Sequence, residues 1–206
     1  MKKFVLFCGF LLILGLVTHA QDGTLDSTFN SVGFKQQSGF YGSNVTCAVQ
    51  PDGRIIVAGK NNQNKRVVMR FLQNGTPDST FNLTGIVNST HPIGNYLDAY
   101  KVLIQPDGKI LVIGQAFDAS FKNRVCVNRY NPDGTADATF GASGMVQLGA
   151  IGVESDLAFD AALLSSGKFV VGAYSLESNS GVYKYSVIRF NTDGTVDPSF
   201  DVDGIA

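Results

Sequence analysis

Apolar residues in this chain come in short bursts separated by turns. Residues 55–59 (IIVAG), 110–114 (ILVIG) and 169–173 (FVVGA) each follow a tight-turn sequence: Gln50-Pro51-Asp52-Gly53, Gln105-Pro106-Asp107-Gly108, and a degraded Ser165-Ser166-Gly167. Proline presets φ, aspartate tolerates the bridge position and glycine takes φ > 0, so each turn folds its run back on the preceding apolar residues as a hairpin. Gly172 stands one place closer to its turn than Gly59 and Gly114 do, which predicts irregular pairing in the third copy. A second set of runs, 67–71 (VVMRF), 125–130 (VCVNRY) and 185–190 (YSVIRF), closes with arginine, an aromatic residue and another turn. Weaker fourth strands are predicted at roughly 34–38, 86–90 and 145–149. Runs this short, rich in β-branched and aromatic residues, read as strands and not as helices.

A longer corner motif, G-T-x-D-x-[ST]-F-x-x-x-G, punctuates the strands. Its aspartates fall at Asp26, Asp78, Asp137 and Asp197, its phenylalanines at Phe29, Phe81, Phe140 and Phe200, and its closing glycines at Gly33, Gly85, Gly144 and Gly204. The intervals of 52, 59 and 60 residues define units at approximately 21–75, 76–134 and 135–194, with a partial unit at 195–206. Composition agrees with an all-β chain. Of 17 acidic residues only Glu154 and Glu177 are glutamate, and aspartate, unlike glutamate, belongs to turns.

About four antiparallel strands per unit, repeated radially, describe a β-propeller blade. At the G-T-x-D-x-[ST]-F and Q-P-D-G-[KR]-I-[LI]-V signatures the chain resembles the delta-60 repeat family over essentially all of 21–206. The resemblance implies a propeller fold and a secreted or surface-associated bacterial protein; it implies no catalytic residues. Three units and the start of a fourth fall short of the roughly four to eight blades of a closed ring. The sequence is therefore read as an incomplete propeller, with a fragment of a longer chain as the first explanation. A ring completed by a second copy is the second, and a last strand stitched onto the first blade is the third.

Residues 1–20 stand apart from the repeats. Lys2 and Lys3 precede the apolar run Phe4–Val17, and Val17-Thr18-His19-Ala20 ends in a small residue, as in a cleaved secretory signal peptide. The run is shorter than the roughly 20 residues that span a bilayer. Cys8 lies inside it, too deep for a lipid anchor. Without Lys2 and Lys3 the remainder carries 14 Lys+Arg against 17 Asp+Glu, a net charge of −3 that gives no footprint for nucleic acid or anionic lipid. Cys47 and Cys126 occupy non-equivalent places in different units and read as two buried thiols, not as a disulfide.

Candidate chemistry is sparse. Asn131, Asp133, Gly134 and Asp137 match positions 3, 5, 6 and 9 of an EF-hand-like loop, but Arg129 and Phe140 stand where the first ligand and the bidentate glutamate belong. The N-x-D-G-x-x-D turn is therefore read as structural, with no metal ligand assigned. Arg70, Arg129 and Arg189 each precede a corner aspartate by eight residues, which predicts a charge-assisted hydrogen bond tying one blade's last strand to the next blade's entry; the other reading is a solvated arginine. The corner phenylalanines read as anchors packed between blades. His91 is the single histidine after residue 20, and no nucleophile elbow, zinc, phosphate-loop or Cys/His motif is present, so no catalytic or cofactor-binding residue and no cofactor is assigned. Asp98, Asp156 and Asp160 are the carboxylates outside the turn motifs, read as solvated strand-edge residues. Asn44-Val-Thr, Asn82-Leu-Thr and Asn88-Ser-Thr fit the glycosylation pattern, incidental in a bacterial source.

The sequence thus points to a secreted or cell-surface repeat module with a binding or structural role and no enzymatic activity. Its expected partner is an extracellular protein or glycan, or another copy of itself. Loops 60–65, 91–97 and 175–183 differ among units, as a recognition surface does. The alternative is an extracellular polysaccharide hydrolase or lyase working with carboxylates at the channel mouth, which requires Asp98, Asp156 or Asp160 to converge.

Overall fold

The computed structural model describes residues 23–42, 44–92, 96–152, 154–176 and 182–206. The leader at 1–20 lies outside the described residues, as do parts of the loops at 91–97 and 175–183.

Every element of regular structure among the described residues is a strand, eleven in all, in three antiparallel sheets. The first blade runs β1 (Val45–Val49), β2 (Ile55–Lys60), β3 (Arg66–Phe71) and β4 (Ile86–Ser89), each paired with its sequence neighbour. The second repeats the order with β5 (Lys101–Ile104), β6 (Ile110–Phe117), β7 (Asn123–Tyr130) and β8 (Met145–Gln147). The third holds β9 (Ser155–Leu163), β10 (Phe169–Leu176) and β11 (Tyr183–Phe190). Its fourth position is begun by Ile205, bridged to Ile188, and by Ala206, which exchanges backbone hydrogen bonds with Val187. The fold is an all-β, propeller-type array of three blades, fewer than a closed ring requires.

Pairing explains which predicted strands form. The corner motif joins the third and fourth strands of one blade, so the residues after each closing glycine pair back onto the strand before the corner. Residues 86–89 and 145–147 find β3 and β7 in this way, whereas the strand predicted at 34–38 is absent. Among the described residues no third strand precedes its corner, and a strand without a partner leaves its backbone groups unpaired. The predicted irregularity in the third unit is also present: the β9–β10 register shifts between Gly172 and Ala173, a bulge.

Blades stack face to face through alternating residues. On β6, Ile110 and Val112 join Ile56, Ala58 and Val68 of the first blade in one core, while Leu111 and Ile113 join Phe169, Val171 and Ile188 of the third in another. Both faces of the central blade are buried, which is why its strands read as continuous apolar runs. Each fully buried Ile, Leu or Val contributes on the order of 1.5–3 kcal/mol. The end blades each have one outer face. Phe40, from the segment ahead of β1, packs on the first, while Tyr185 and Val187 leave the third exposed. β1, β5 and β9 meet along the stack and form its inner rim. The hairpin turns and the corners lie at one end of the blades, where Arg54 of the first hairpin turn meets Asp78 of the first corner. The β2–β3 loop and the entry into β5 lie at the other end, where Arg66 meets Asp98.

Candidate functional site

The repeated corner is built around its aspartate. In the second blade Arg129 donates from Nε to Asp137 Oδ2 at 2.7 Å, and the backbone N–H and Oγ1 of Thr139 donate to Asp137 Oδ1 at 3.0 and 2.7 Å. Lys109, from the hairpin turn, adds an ion pair at 3.0 Å. The other blades repeat the set. Asp78 takes Arg70 at 2.7 Å and Arg54 at 3.1 Å, and Asp197 takes Arg189 at 2.6 Å and Lys168 at 2.7 Å. The predicted eight-residue pairing of arginine and aspartate is present at all three places, buried at Arg70 and Arg129. Burial alone pushes the Asp137 carboxyl up, but Thr139, Lys109 and Arg129 together hold it well below the usual range. Lys168, then Ser199, hold Asp197 down in the same way.

The corner reaches the next blade by a different route from the one the sequence indicated. Arginine and aspartate belong to one blade, and the arginine's remaining nitrogen crosses the junction. Arg70 Nη1 donates to the Pro132 carbonyl and Arg129 Nη1 to the Thr192 carbonyl. Phe81 and Phe140 are fully buried beneath these guanidinium groups, 4.7 and 4.5 Å from ring centre to Cζ. Their rings press on Gly134 and Gly194 of the following turn, where a Cβ would come within 2.9 and 2.7 Å. Those glycines also sit at φ +89° and +91°, so both conformation and space demand glycine. The N–H after each phenylalanine then donates to the Asp133 or Asp193 carbonyl. The two oxygens that Asp137 would lend to a cation are thus engaged by Arg129, Lys109 and Thr139, and Asp133 Oδ1 is engaged by Thr135.

Asp98 and Asp156 correct the expectation of solvated strand edges: both are buried, and only Asp160 is exposed. Asp156 Oδ1 accepts from the Gly152 N–H and Ser175 Oγ at 2.8 and 2.6 Å, and Oδ2 from the Ile151 N–H and Arg124 Nη1 at 3.0 Å each. Asp98 Oδ2 accepts from Tyr96 at 3.0 Å, Asn44 at 3.3 Å and Tyr100 at 3.4 Å. Burial, then the Asp98 charge, push the Tyr100 hydroxyl far above its ordinary value. Arg66, fully buried, donates to the Asp98 carbonyl, the Val112 carbonyl and Asn128. Arg66 and Arg124 therefore join successive blades at the end opposite the corners, a second latch that sequence reading missed. Gly114 is required there, because a Cβ would lie 2.0 Å from the Asp98 carbonyl oxygen. Asp160 pairs instead with Lys101 of the neighbouring inner strand at 2.7 Å, an interaction that lowers its pKa. No hydrogen-bond or ion-pair partner described for one of these three carboxylates is shared with another.

Cys126 is buried, and burial raises its thiol pKa; Cys47, on the inner strand β1, is exposed, against the expectation of two buried thiols. Both are free. His91 is buried.

Two cavities of like lining open at the corner end. One, about 550 Å³, lies between the first and second blades and is walled by Gln50, Asp52, Arg54, Arg70, Thr80 and Asp133. The other, about 520 Å³, lies between the second and third and is walled by the equivalent Gln105, Asp107, Lys109, Arg129, Thr139 and Asp193. Asp107 belongs to both, so the two grooves adjoin. This duplicated, solvent-open groove, which carries charged and amide side chains in its wall, is the candidate binding site.

Three blades, each a meander of antiparallel strands latched to the next, define a β-propeller. The chain belongs to the domain of unknown function (DUF5122) beta-propeller family, whose profile matches residues 50–81, 105–140 and 164–200, just over half of the sequence. Each matched stretch runs from a hairpin turn to a corner phenylalanine. Among solved structures the chain is similar to an exo-1,5-alpha-L-arabinanase from a bovine ruminal metagenomic library, at 11% identity and a TM-score of 0.53, over 80% of this chain and 59% of that one. It is also similar to an endo-arabinase from Bacteroides thetaiotaomicron VPI-5482, at 13% identity and a TM-score of 0.45, over 80% and 65% respectively. At such identity the first likeness shows the fold alone, and the chain spans less than two thirds of either protein. No curated protein matches the sequence.

Proposed function

We propose that this protein is an exported or cell-surface binding module whose repeats are of the delta-60 type and whose ligand is an extracellular glycan or protein. The carrying observation is the duplicated groove, which repeats the same side-chain chemistry at two blade junctions around one shared residue, Asp107. The leader-like segment at 1–20 supports export. Among the described residues no helix is long and apolar enough to cross a membrane. The hydrolase reading carries less weight. Asp156 is engaged by Arg124, Ser175 and two backbone amides, and Asp160 is paired with Lys101, so neither of these two carboxylates stands free for acid–base chemistry.

The test is affinity electrophoresis of residues 21–206 through gels containing soluble polysaccharides, with a reducing-sugar assay on the same mixtures. Retardation without release of reducing ends is expected. Release that disappears in Asp98→Asn or Asp160→Asn would establish the hydrolase instead.

A further inference from the structure

The outer seam between successive blades is packed with apolar side chains at one junction and opens into a polar cavity at the other. The repeat sets residues after the first corner 59 places before their counterparts, and those of β7 and the second corner 60 places before theirs. Between the second and third blades the seam is apolar: Leu148, Ile151, Val196 and Ile205 pack against the core that holds Ile188 and Phe190. Between the first and second blades the equivalent residues are Ser89, Pro92, Ala136, Met145, Asn128 and Tyr130, and they line a cavity of about 560 Å³. That is within the roughly 300–1,000 Å³ of small-molecule sites. The cavity shares no wall residue with either corner-end groove.

The Arg66 latch accounts for part of this polarity. Asn128 is more than nine-tenths buried, and its Oδ1 accepts from Arg66 Nη1; because a guanidinium only donates, the orientation of the amide is fixed. Its Nδ2 makes no hydrogen bond with the described residues and is not among the polar atoms sealed from solvent, so it opens on the cavity that Asn128 lines. The latch does not call for hydroxyls. Ser89 Oγ, half-buried, is held 2.6 Å from Tyr130 Oη, whereas at the next junction Leu148 and Phe190 stand in their places while Arg124 still crosses to Asp156. The wall then selects the ligand. Among the described residues it holds no Asp, Glu, Lys, Arg or His, only amides, hydroxyls and apolar groups. A charged ligand would give up water for a wall without a counter-charge, and a purely apolar one would leave Ser89 and Asn128 unpaired. Sugar hydroxyls, which donate and accept, suit both: they accept from Asn128 Nδ2 and exchange hydrogen bonds with Ser89 Oγ. We infer that the first outer seam is a separate binding site for a neutral saccharide, with Ser89 and Asn128 as the residues that recognise its hydroxyls.

The experiment titrates residues 21–206 with xylotriose, maltotriose and diacetylchitobiose as neutral probes, trigalacturonate as an anionic one and a blocked tetra-alanine peptide as a neutral one without hydroxyls. Calorimetry gives the affinity, and heteronuclear NMR follows the Asn128 side-chain amide, assigned with Asn128→Asp, which keeps an acceptor for Arg66. Ser89→Ala deletes the hydroxyl. Ser89→Leu with Ala136→Val fills the cavity with the side chains that Leu148 and Val196 supply at the next junction, and circular dichroism confirms that both variants fold. At least one neutral saccharide is expected to bind and to shift the Asn128 amide resonance. Its binding should weaken about tenfold in Ser89→Ala, as for loss of one hydrogen bond, and vanish in the filled variant. A saccharide bound with unchanged affinity in the filled variant lies elsewhere; that result would overturn this site and leave the corner-groove reading intact. Binding of trigalacturonate or the peptide alone, or of no probe, would overturn the ligand class.

Discussion

The Arg129–Asp137 pair tests whether the corner is a structural device, and the expected asymmetry between its two halves is the sharpest consequence. Removing one partner of a buried ion pair costs about 3–5 kcal/mol, because the survivor is left as an uncompensated charge. Arg129→Met leaves Asp137 with Lys109 at 3.0 Å and Thr139, so the loss should fall near the low end, about 3 kcal/mol. Asp137→Asn leaves Arg129 and Lys109 converging on a neutral amide, and its cost should approach about 5 kcal/mol. Arg129→Met also forfeits the Thr192 carbonyl and the Phe140 ring, but those losses are common to both backgrounds and cancel in a double-mutant cycle. The remaining coupling should be about 1.5–3 kcal/mol, as for a hydrogen bond to a charged group, well above the ~0–1 kcal/mol of an exposed pair. Urea unfolding is the assay, since guanidinium salts screen the charges under test. With no tryptophan in the chain, tyrosine fluorescence and circular dichroism must give coincident transitions before a two-state fit is made. Coupling below about 0.5 kcal/mol, or Arg129→Met proving the costlier change, would refute the account.

Phe140→Ala should lose about 3–5 kcal/mol in the same assay, since the ring is fully buried against Gly194 and under Arg129. Gly114→Ala should destabilise by about 1–3 kcal/mol or more, because the new methyl would collide with the Asp98 carbonyl and the Arg66 side chain; a neutral result would mean the junction yields easily. Asp78, Asp137 and Asp197 all have folded-state pKa values below the unfolded value of about 3.9, so their contribution is present above that pH and is lost as pH falls below it. Melting temperature should therefore drop from pH 5 to pH 2, and Asp137→Asn should make that slope shallower. Lys101→Ala should change stability by less than about 1 kcal/mol, its partner Asp160 being exposed.

What could be read from the sequence is what repeats at fixed offset. The corner's aspartate and phenylalanine keep their spacing at all four corners and the arginine at three of them, so their joint role was visible before any coordinate. Arg66 and Arg124 were not legible, because they stand four and five residues before Arg70 and Arg129. Their partners were hidden similarly: Asp98 precedes Gln105 by seven residues and Asp156 precedes Leu164 by eight, the extra residue being absorbed by the bulge in β9. Burial of those carboxylates was misjudged for the same reason, since nothing local to a strand edge announces an arginine arriving from the blade before. The grooves are further still from the sequence. Gln50 and Gln105 are plain members of a turn signature, and nothing in that signature announces that the two turns wall adjoining cavities.

The two latches also decide where a ligand can be taken. At the end where Arg66 and Arg124 cross, the guanidinium groups donate to backbone carbonyls and to the Asp118 and Asp156 carboxylates, and Gly114 leaves no room for a methyl group. At the corner end the same task, holding one blade to the next, is done by the arginine, the phenylalanine and one backbone amide. The hairpin turns and corner turns of successive blades line the space between them, and that space is the groove. The latch arginine and the aspartates of the turns together become the groove's walls. If a hydroxyl-rich chain is bound, rigidity of these walls is what limits the entropic cost of holding it. Loosening the corner with Phe140→Ala should then weaken the retardation seen in polysaccharide gels, and an unchanged mobility shift in a folded variant would break the link between corner and groove.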